Sequence, residues 1–398
     1  MNTREKVLDI LHRVMKENGY ASLLMRQIDD ISIEEMPFVS NLVYGVLRNY
    51  SYLEFQWREY AKHTKAKTAL AIDMAIYELF FTSAKEYAVI NETVNLVNKN
   101  EKNFVNAILR RIQKEGKKNS KDEWIQYSHP KWIVDMWIAH YGKEETLKIL
   151  QADQTAGSVI GRINPLKITK QQLERDETIH FINDYCFLKE DSILNSTYFK
   201  NGEVLIQNPS SIEPVLAIDA RENMRVLDVC AAPGTKTQMI SALMNNTGEV
   251  VACDLYEHRL DLIQQLMDKC NNTNVKVQIN DATKQFFQKG SFDRVLCDVP
   301  CSGLGDLKHK PEIRWHLKPE NIDEIVQIQK KILEVSSTYV KENGLLVYST
   351  CTLNKKENTS QITSFLKIHD DFELLKEKTI FPYEKYHDGF YVAVLRKK

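Results

Sequence analysis

The second half of the chain alternates two periodicities, and that alternation constrains its fold more than any other feature. Short apolar, β-branched runs at 225–229, 249–253, 275–279, 292–297, 344–349 and 390–395 are separated, for the most part, by helical stretches at 235–244, 257–270 and 320–341. Strands joined through helices are connected by crossovers rather than hairpins, so neighbouring strands run parallel and helices cover both sheet faces. From about residue 204 onward the pattern therefore predicts an α/β domain, Rossmann-like, with a mostly parallel, doubly wound sheet. Ligands of such sheets bind outside the carboxyl ends of the strands, so the loops after these runs are where the chemistry is expected.

Upstream the pattern is different. Up to about residue 115 the only proline is Pro37, and apolar residues recur at helical spacing: Val7, Ile10, Leu11 and Val14; Leu42, Val43, Val46 and Leu47; Leu70, Ile72, Met74, Ile76, Leu79 and Phe80, in a more heavily buried helix; Phe104, Val105, Ile108, Leu109 and Ile112. These stripes predict an all-α domain over 1–121. Its last stretch carries Arg110, Arg111, Lys114, Lys117, Lys118 and Lys121. Such a run reads either as a solvated helix end and linker, with cations near the last carbonyls, or as an RNA-facing patch. Residues 122–203 read as a small α+β module, with a helix over 132–141, a short strand over 159–163 and a short helix over 169–175. The catalytic candidates all fall in the remainder, 204–398.

Composition narrows the function classes. The 398 residues carry a net charge of −1, with 43% hydrophobic and 27% charged residues, which is ordinary globular usage. Any nucleic-acid contact must then come from local basic patches rather than from the bulk charge. The seven cysteines form no CxxC pair and no zinc-type cluster with histidine, so neither a disulfide framework nor a metal site is expected. The N-terminus lacks the apolar segment of a signal peptide, and no run of 18 apolar residues occurs. A reduced, cytoplasmic, monomeric protein without membrane or metal is expected.

The strand Val226-Leu227-Asp228-Val229 runs into Cys230-Ala231-Ala232-Pro233-Gly234-Thr235-Lys236-Thr237. Small residues in a strand–loop–helix turn let backbone approach a ligand closely. The turn is neither GxGxxG nor a Walker A loop, which argues against a pyrophosphate. The next strand ends at Asp254, where an acid can accept hydrogen bonds from two ribose hydroxyls. The third is followed by Asn280-Asp281-Ala282, where an acid can reach an adenine amino group. Loop, ribose acid and adenine acid at successive strand ends describe adenosine without phosphates, and S-adenosylmethionine fits that description.

The two following strands each place a cysteine just past their ends: Cys301 in Asp298-Val299-Pro300-Cys301-Ser302-Gly303 and Cys351 in Ser349-Thr350-Cys351-Thr352. Buried cysteine ordinarily acts as a small hydrophobe, which is the reading for Cys186, Cys253, Cys270 and Cys297. Two loop cysteines on one functional edge call for a chemical explanation instead.

DVCAAPGTKT, DVPCSGLGDLKHKPEIRW, YSTCTLNKKEN and the closing DGFYVAVLRK resemble the motifs of the RNA cytosine-5 methyltransferases. INETVNLVNK and FVNAILRRI resemble the NusB-like RNA-binding domain, while HPKWIVDMWIAHYG and GRINPLK resemble the small module that precedes the catalytic domain. Together they resemble the bacterial 16S ribosomal RNA methyltransferases of the RsmB (Sun/Fmu) type. The resemblance implies that Cys351 is the nucleophile, that Cys301 assists release, that Asp298 contacts the cytosine, and that Cys230 to Lys236, Asp254, Asp281 and Asp298 line the S-adenosylmethionine site. Lys236 can also face the substrate base.

The chemistry agrees. Cytosine C5 is a poor nucleophile until a thiolate adds to C6 and makes an enamine. An acid near N3 and a base near C5 complete the cycle.

Some positions depart from the family pattern. Thr235 stands for a second glycine, and a Cβ there restricts positive φ, so a reshaped loop is expected. Asn208 stands for a more usual Asp, and Asp306 and His309 for apolar and basic residues. The basic stretch Lys308 to Lys318, with Trp315 inside it, reads either as phosphate contacts with an aromatic to stack on an unstacked base, or as a solvated loop with a buried tryptophan. Transfer RNA as substrate, and a non-catalytic RNA-binding assembly factor, are the alternative functions; the paired Cys301 and Cys351 weigh against the second.

Overall fold

The computed structural model describes every residue except 1, 29, 30, 33 and 62. The chain divides into two compact units, one of residues 1–156 with 307–317, the other of residues 157–306 with 318–398.

The first unit is helical. Its helices span Thr3–Glu17, Ala21–Arg26, Met36–Trp57, Ala66–Phe81, Glu86–Leu96 and Lys102–Glu115, followed by Glu123–Gln126, Lys131–Tyr141 and Lys143–Ala152. Asn2 starts the first: its side chain accepts the Glu5 N–H while Glu5 returns the bond, satisfying two donors that a helix end leaves orphaned. The four predicted stripes form one core, in which Leu79, Phe80 and Phe104 are only partly buried. Ala66–Phe81 is apolar on most sides because it runs through the middle of that core. Gly116 ends the last long helix at φ 75°, its N–H returning to the Ile112 carbonyl at 2.9 Å.

Several residues of the two basic segments make contacts within the first unit. Arg111 pairs with Glu115 at 2.7 Å, Lys118 reaches Glu115 at 3.1 Å, and the Lys117 ammonium lies 4.1 Å from the centre of the Phe81 ring. Segment 307–317 packs within the first unit. The Trp315 indole donates to the Leu47 carbonyl at 2.8 Å and meets Tyr50 edge-on. Arg314 is fully buried and donates to the Ser128 carbonyl at 3.0 Å. Trp315 thus ties this segment to the helices of the first unit: its partly buried indole N–H meets an acceptor in the Leu47 carbonyl.

The second unit holds two sheets. Strands β1 (Gly161–Ile163), β2 (Ile179–Phe181), β3 (Cys186–Lys189) and β4 (Val204–Ile206) form an antiparallel sheet in the order β2-β3-β1-β4. Strands β5 (Arg225–Asp228), β6 (Glu249–Asp254), β7 (Val275–Ile279), β8 (Phe292–Asp298), β9 (Val340–Thr350), β10 (Phe372–Ile380) and β11 (Phe390–Lys397) form the large sheet in the order β10-β11-β9-β8-β5-β6-β7. β5 to β9 pair in parallel, whereas β11 is antiparallel to both β9 and β10. The mostly parallel sheet was expected; the edge strand β10 was not. Its sequence FELLKEKTI is rich in charge, as suits an edge that must not recruit another strand, and it carries a bulge. The helix predicted to reach residue 341 stops at Ser337, because Val340 already pairs with Phe292.

The strand order reverses at β5: β6 and β7 follow on one side, β8 and β9 on the other. Between the carboxyl ends of β5 and β8 lies the crevice where doubly wound sheets bind ligands. Among the described residues no helix is long and apolar enough to cross a membrane.

Candidate active site

β5 delivers Asp228 to the floor of the crevice. One carboxylate oxygen accepts the Thr237 hydroxyl at 2.7 Å; the other is buried with no hydrogen-bond partner. Burial pushes its carboxyl up to about 7. The chain then turns through Gly234, at φ 102°, into the helix Thr235–Leu243. A Cβ on Gly234 would lie 3.3 Å from Ile263 Cα, on a backbone conformation that side chains avoid. Thr235 is already the first helical residue, so the expected reshaping of the loop does not arise: the left-handed position belongs to Gly234. Asn208 caps the helix Pro209–Ala217, accepting the Ser210 N–H at 2.9 Å.

β6 ends at Asp254, only 6% exposed, whose two oxygens accept the Ala232 and Tyr256 N–H groups, each at 3.3 Å. Ala231 is held to the same strand by its N–H, 2.7 Å from the Cys253 carbonyl. Just past the next strand Asn280 donates its N–H to the Asp254 carbonyl at 3.0 Å, and its side-chain NH₂ is buried without a partner. A buried donor with nothing to bond is costly unless a ligand completes it. Asp281 accepts from Thr283 and pairs with Lys284 at 2.9 Å; these bonds lower its pKa. Loop 230–234, Asp254, Asn280 and Asp281 thus form one continuous rim. Its carboxylate acceptors, its orphaned amide donor and its close-packed glycine turn match the requirements of an adenosine moiety.

Asp298 ends β8. The Ser349 hydroxyl, in register on β9, donates to it at 2.7 Å, and the Lys236 ammonium lies 2.7 Å from its other oxygen. Burial works against the lysine charge, but the Asp298 carboxylate outweighs it and raises the Lys236 pKa. Beyond the ends of the same two strands the Cys301 and Cys351 sulfurs stand 3.0 Å apart. Their shared hydrogen bond, followed by burial, pushes the Cys301 thiol well above the usual range. Cys230 is half-buried, and burial raises its thiol too. Cys186, Cys253, Cys270 and Cys297 are fully buried; burial pushes Cys186, Cys253 and Cys297 up to about 12 and raises Cys270. They pack, as expected.

The structure therefore brings Lys236, Asp298, Cys301 and Cys351 together and sets Asp254 and Asp281 along the adjoining rim. Sequence reasoning did not single out Asn280 and Ser349. Each lies inside a segment already singled out, but only the contacts distinguish them from their neighbours.

The chain as a whole has counterparts among known proteins. The family model described as 16S rRNA methyltransferase RsmB/F matches residues 215–396. A protein of Bacillus subtilis, named probable ribosomal RNA small subunit methyltransferase B, is 30% identical over 100% of this chain and 99% of its own length. The chain belongs to the RsmB family of 16S rRNA methyltransferases. Its other parts match the same assembly: the NusB family over residues 1–114 and the ferredoxin-like domain of the RsmF/B methyltransferases over 129–176. Among solved structures, PH0851 superposes with a TM-score of 0.81 at 23% identity, covering 100% of this chain and 99% of that one, a likeness of fold. A methyltransferase homologue from Pyrococcus horikoshii superposes with a TM-score of 0.61 at 26% identity, covering 70% of this chain and 98% of that one. As a member of the RsmB family, the chain is an S-adenosylmethionine-dependent methyltransferase with a NusB-like helical region and a Rossmann-like catalytic sheet.

Proposed function

We propose that the chain methylates C5 of a cytosine in 16S ribosomal RNA through a transient bond between Cys351 and C6 of the base. The observation that carries this reading is the pair of thiols 3.0 Å apart beside the Lys236–Asp298 ion pair, at the carboxyl edge of one sheet. Cys351 as thiolate adds to C6, and the electron pair of the C5–C6 double bond becomes available at C5. Asp298 faces N3 and supports the proton or hydrogen bond that the ring needs as charge develops there. Lys236, held by Asp298, adds positive charge where the thiolate and the addition product carry negative charge. Once C5 carries the methyl group, a base takes the C5 proton, the C6–S bond breaks and Cys351 leaves as thiolate; Cys301 assists this release.

Ala232, Asp254, Asn280 and Asp281 hold S-adenosylmethionine, which supplies an electrophilic methyl group when bound. The helical unit adds RNA affinity. The reaction requires an exposed or flipped-out cytosine, since C5 and C6 of a stacked base are out of reach of a thiol.

The test is nucleoside analysis. After incubation with labelled S-adenosylmethionine and either protein-free 16S RNA or small ribosomal subunits, digestion should return the label as 5-methylcytidine. Label in another nucleoside, or in neither RNA, contradicts the proposal.

A further inference from the structure

Glu357 is buried completely and pairs with no cation among the described residues, yet donors surround it. One oxygen accepts the Ser302 N–H at 2.8 Å and the Gln329 side-chain NH₂ at 3.1 Å. The other accepts the Ser302 hydroxyl at 2.6 Å, the Asn354 NH₂ at 3.1 Å and, more weakly, the Thr352 hydroxyl at 3.4 Å. Ser302 directly follows Cys301, and Thr352 directly follows Cys351. The hydroxyls of Ser302 and Thr352 also meet each other at 2.8 Å, and Gln329 donates to the carbonyl of Pro300 at 2.9 Å. A single carboxylate is thus the joint of both cysteine loops and of the helix Pro319–Ser337 behind them. Burying an unpaired carboxylate is expensive, and an apolar side chain would fill the same space at less cost. Its hydrogen bonds must therefore fix something that packing alone does not.

We propose that Glu357 is a positioning residue that sets the spacing of the Cys301 and Cys351 thiols. It touches neither base nor methyl donor, and it acts through Ser302 and Thr352. The proposal rests on the two-cysteine reading above in assigning a purpose to that spacing. A side-chain amide cannot replace the carboxylate, because either orientation turns an NH₂ group toward an N–H donor.

The test separates thiol geometry from catalysis. Phenylarsine oxide closes a ring across two adjacent thiols, its oxygen leaving as water as two As–S bonds form, and intact mass records one phenylarsenic group per chain. Capture should be rapid in the wild type and lost in Cys301→Ala and in Cys351→Ala. In Glu357→Gln, capture should slow about tenfold and kcat should fall about a hundredfold, the loss expected for displacement of a reacting group by about 1 Å. The KM for S-adenosylmethionine should stay unchanged.

Ser302→Ala removes the hydroxyl links while keeping the backbone N–H bond, so it should show smaller losses of the same kind. It also carries the test if Glu357→Gln does not fold. Wild-type capture and kcat in the folded Glu357→Gln protein, or in Ser302→Ala if that variant stands alone, would overturn the proposal. Capture needs no RNA. If methylation survives in Cys351→Ala and the cytosine reading fails, the thiol measurement still decides whether Glu357 sets the spacing.

Discussion

Asp254 shows how a common residue acquires meaning. A carboxylate at a strand end is ordinary; one with an oxygen bonded to a glycine-containing loop, beside an amide with no partner, is not. Asp254→Ala should weaken S-adenosylmethionine binding by about 1.5–3 kcal/mol, roughly ten- to a hundredfold, because a charged acceptor is lost from a partly desolvated site. Calorimetry on the RNA-free protein reads this directly; an unchanged dissociation constant would move the ribose contact elsewhere. At this scale the pairing of Cys301 and Cys351 on one sheet edge was legible in the sequence, because each follows the end of a neighbouring strand. Glu357 was not. Its segment, YSTCTLNKKEN, was visible, but a glutamate among lysines and asparagines reads as surface until the donors around it are seen.

Whole elements carry pH sensitivity as well as shape. His129, at the entry to the helix Lys131–Tyr141, is fully buried, with its ring nitrogens 2.6 Å from the Tyr127 carbonyl and 3.3 Å from Asp153. Burial, reinforced by the nearby Arg314 charge, pulls its pKa down to about 4. An unfolded histidine takes up its proton near pH 6.5. A depressed folded value means that the stabilising contribution is complete above that pH and is lost as pH falls toward 4. The loss amounts to about 3 kcal/mol at most. Denaturant unfolding monitored in the helical unit should show this loss between pH 7 and pH 4 in the wild type and a smaller one in His129→Gln; equal losses would contradict the assignment.

Long elements with a clean period were readable from sequence: the four helical stripes, and the apolar strands β5, β6 and β8. Strands β2, β3 and β4 were missed because three or four residues are too few to show alternation, and β10 because its charges resemble a loop.

At the scale of the molecule, the order of motifs along the chain carried the most information, since successive strand ends in a doubly wound sheet return to one edge. Less legible was which stretches pack together. Segment 307–317 follows the Cys301 loop in sequence yet belongs to the helical unit, through Trp315, Arg314 and a bond from the Ala21 N–H to Glu312 at 3.2 Å. Nothing local in DLKHKPEIRW signals such long-range contacts, and its charge suggested solvent or RNA instead. The central claim is that Cys351 attacks and Cys301 releases. Its most direct test is denaturing electrophoresis of each variant incubated with 16S RNA and S-adenosylmethionine. Cys301→Ala should accumulate an enzyme–RNA adduct that survives denaturation, Cys351→Ala and the double variant should form none, and the wild type should show little. Adduct accumulating in Cys351→Ala and absent from Cys301→Ala would reverse the two roles and contradict the account.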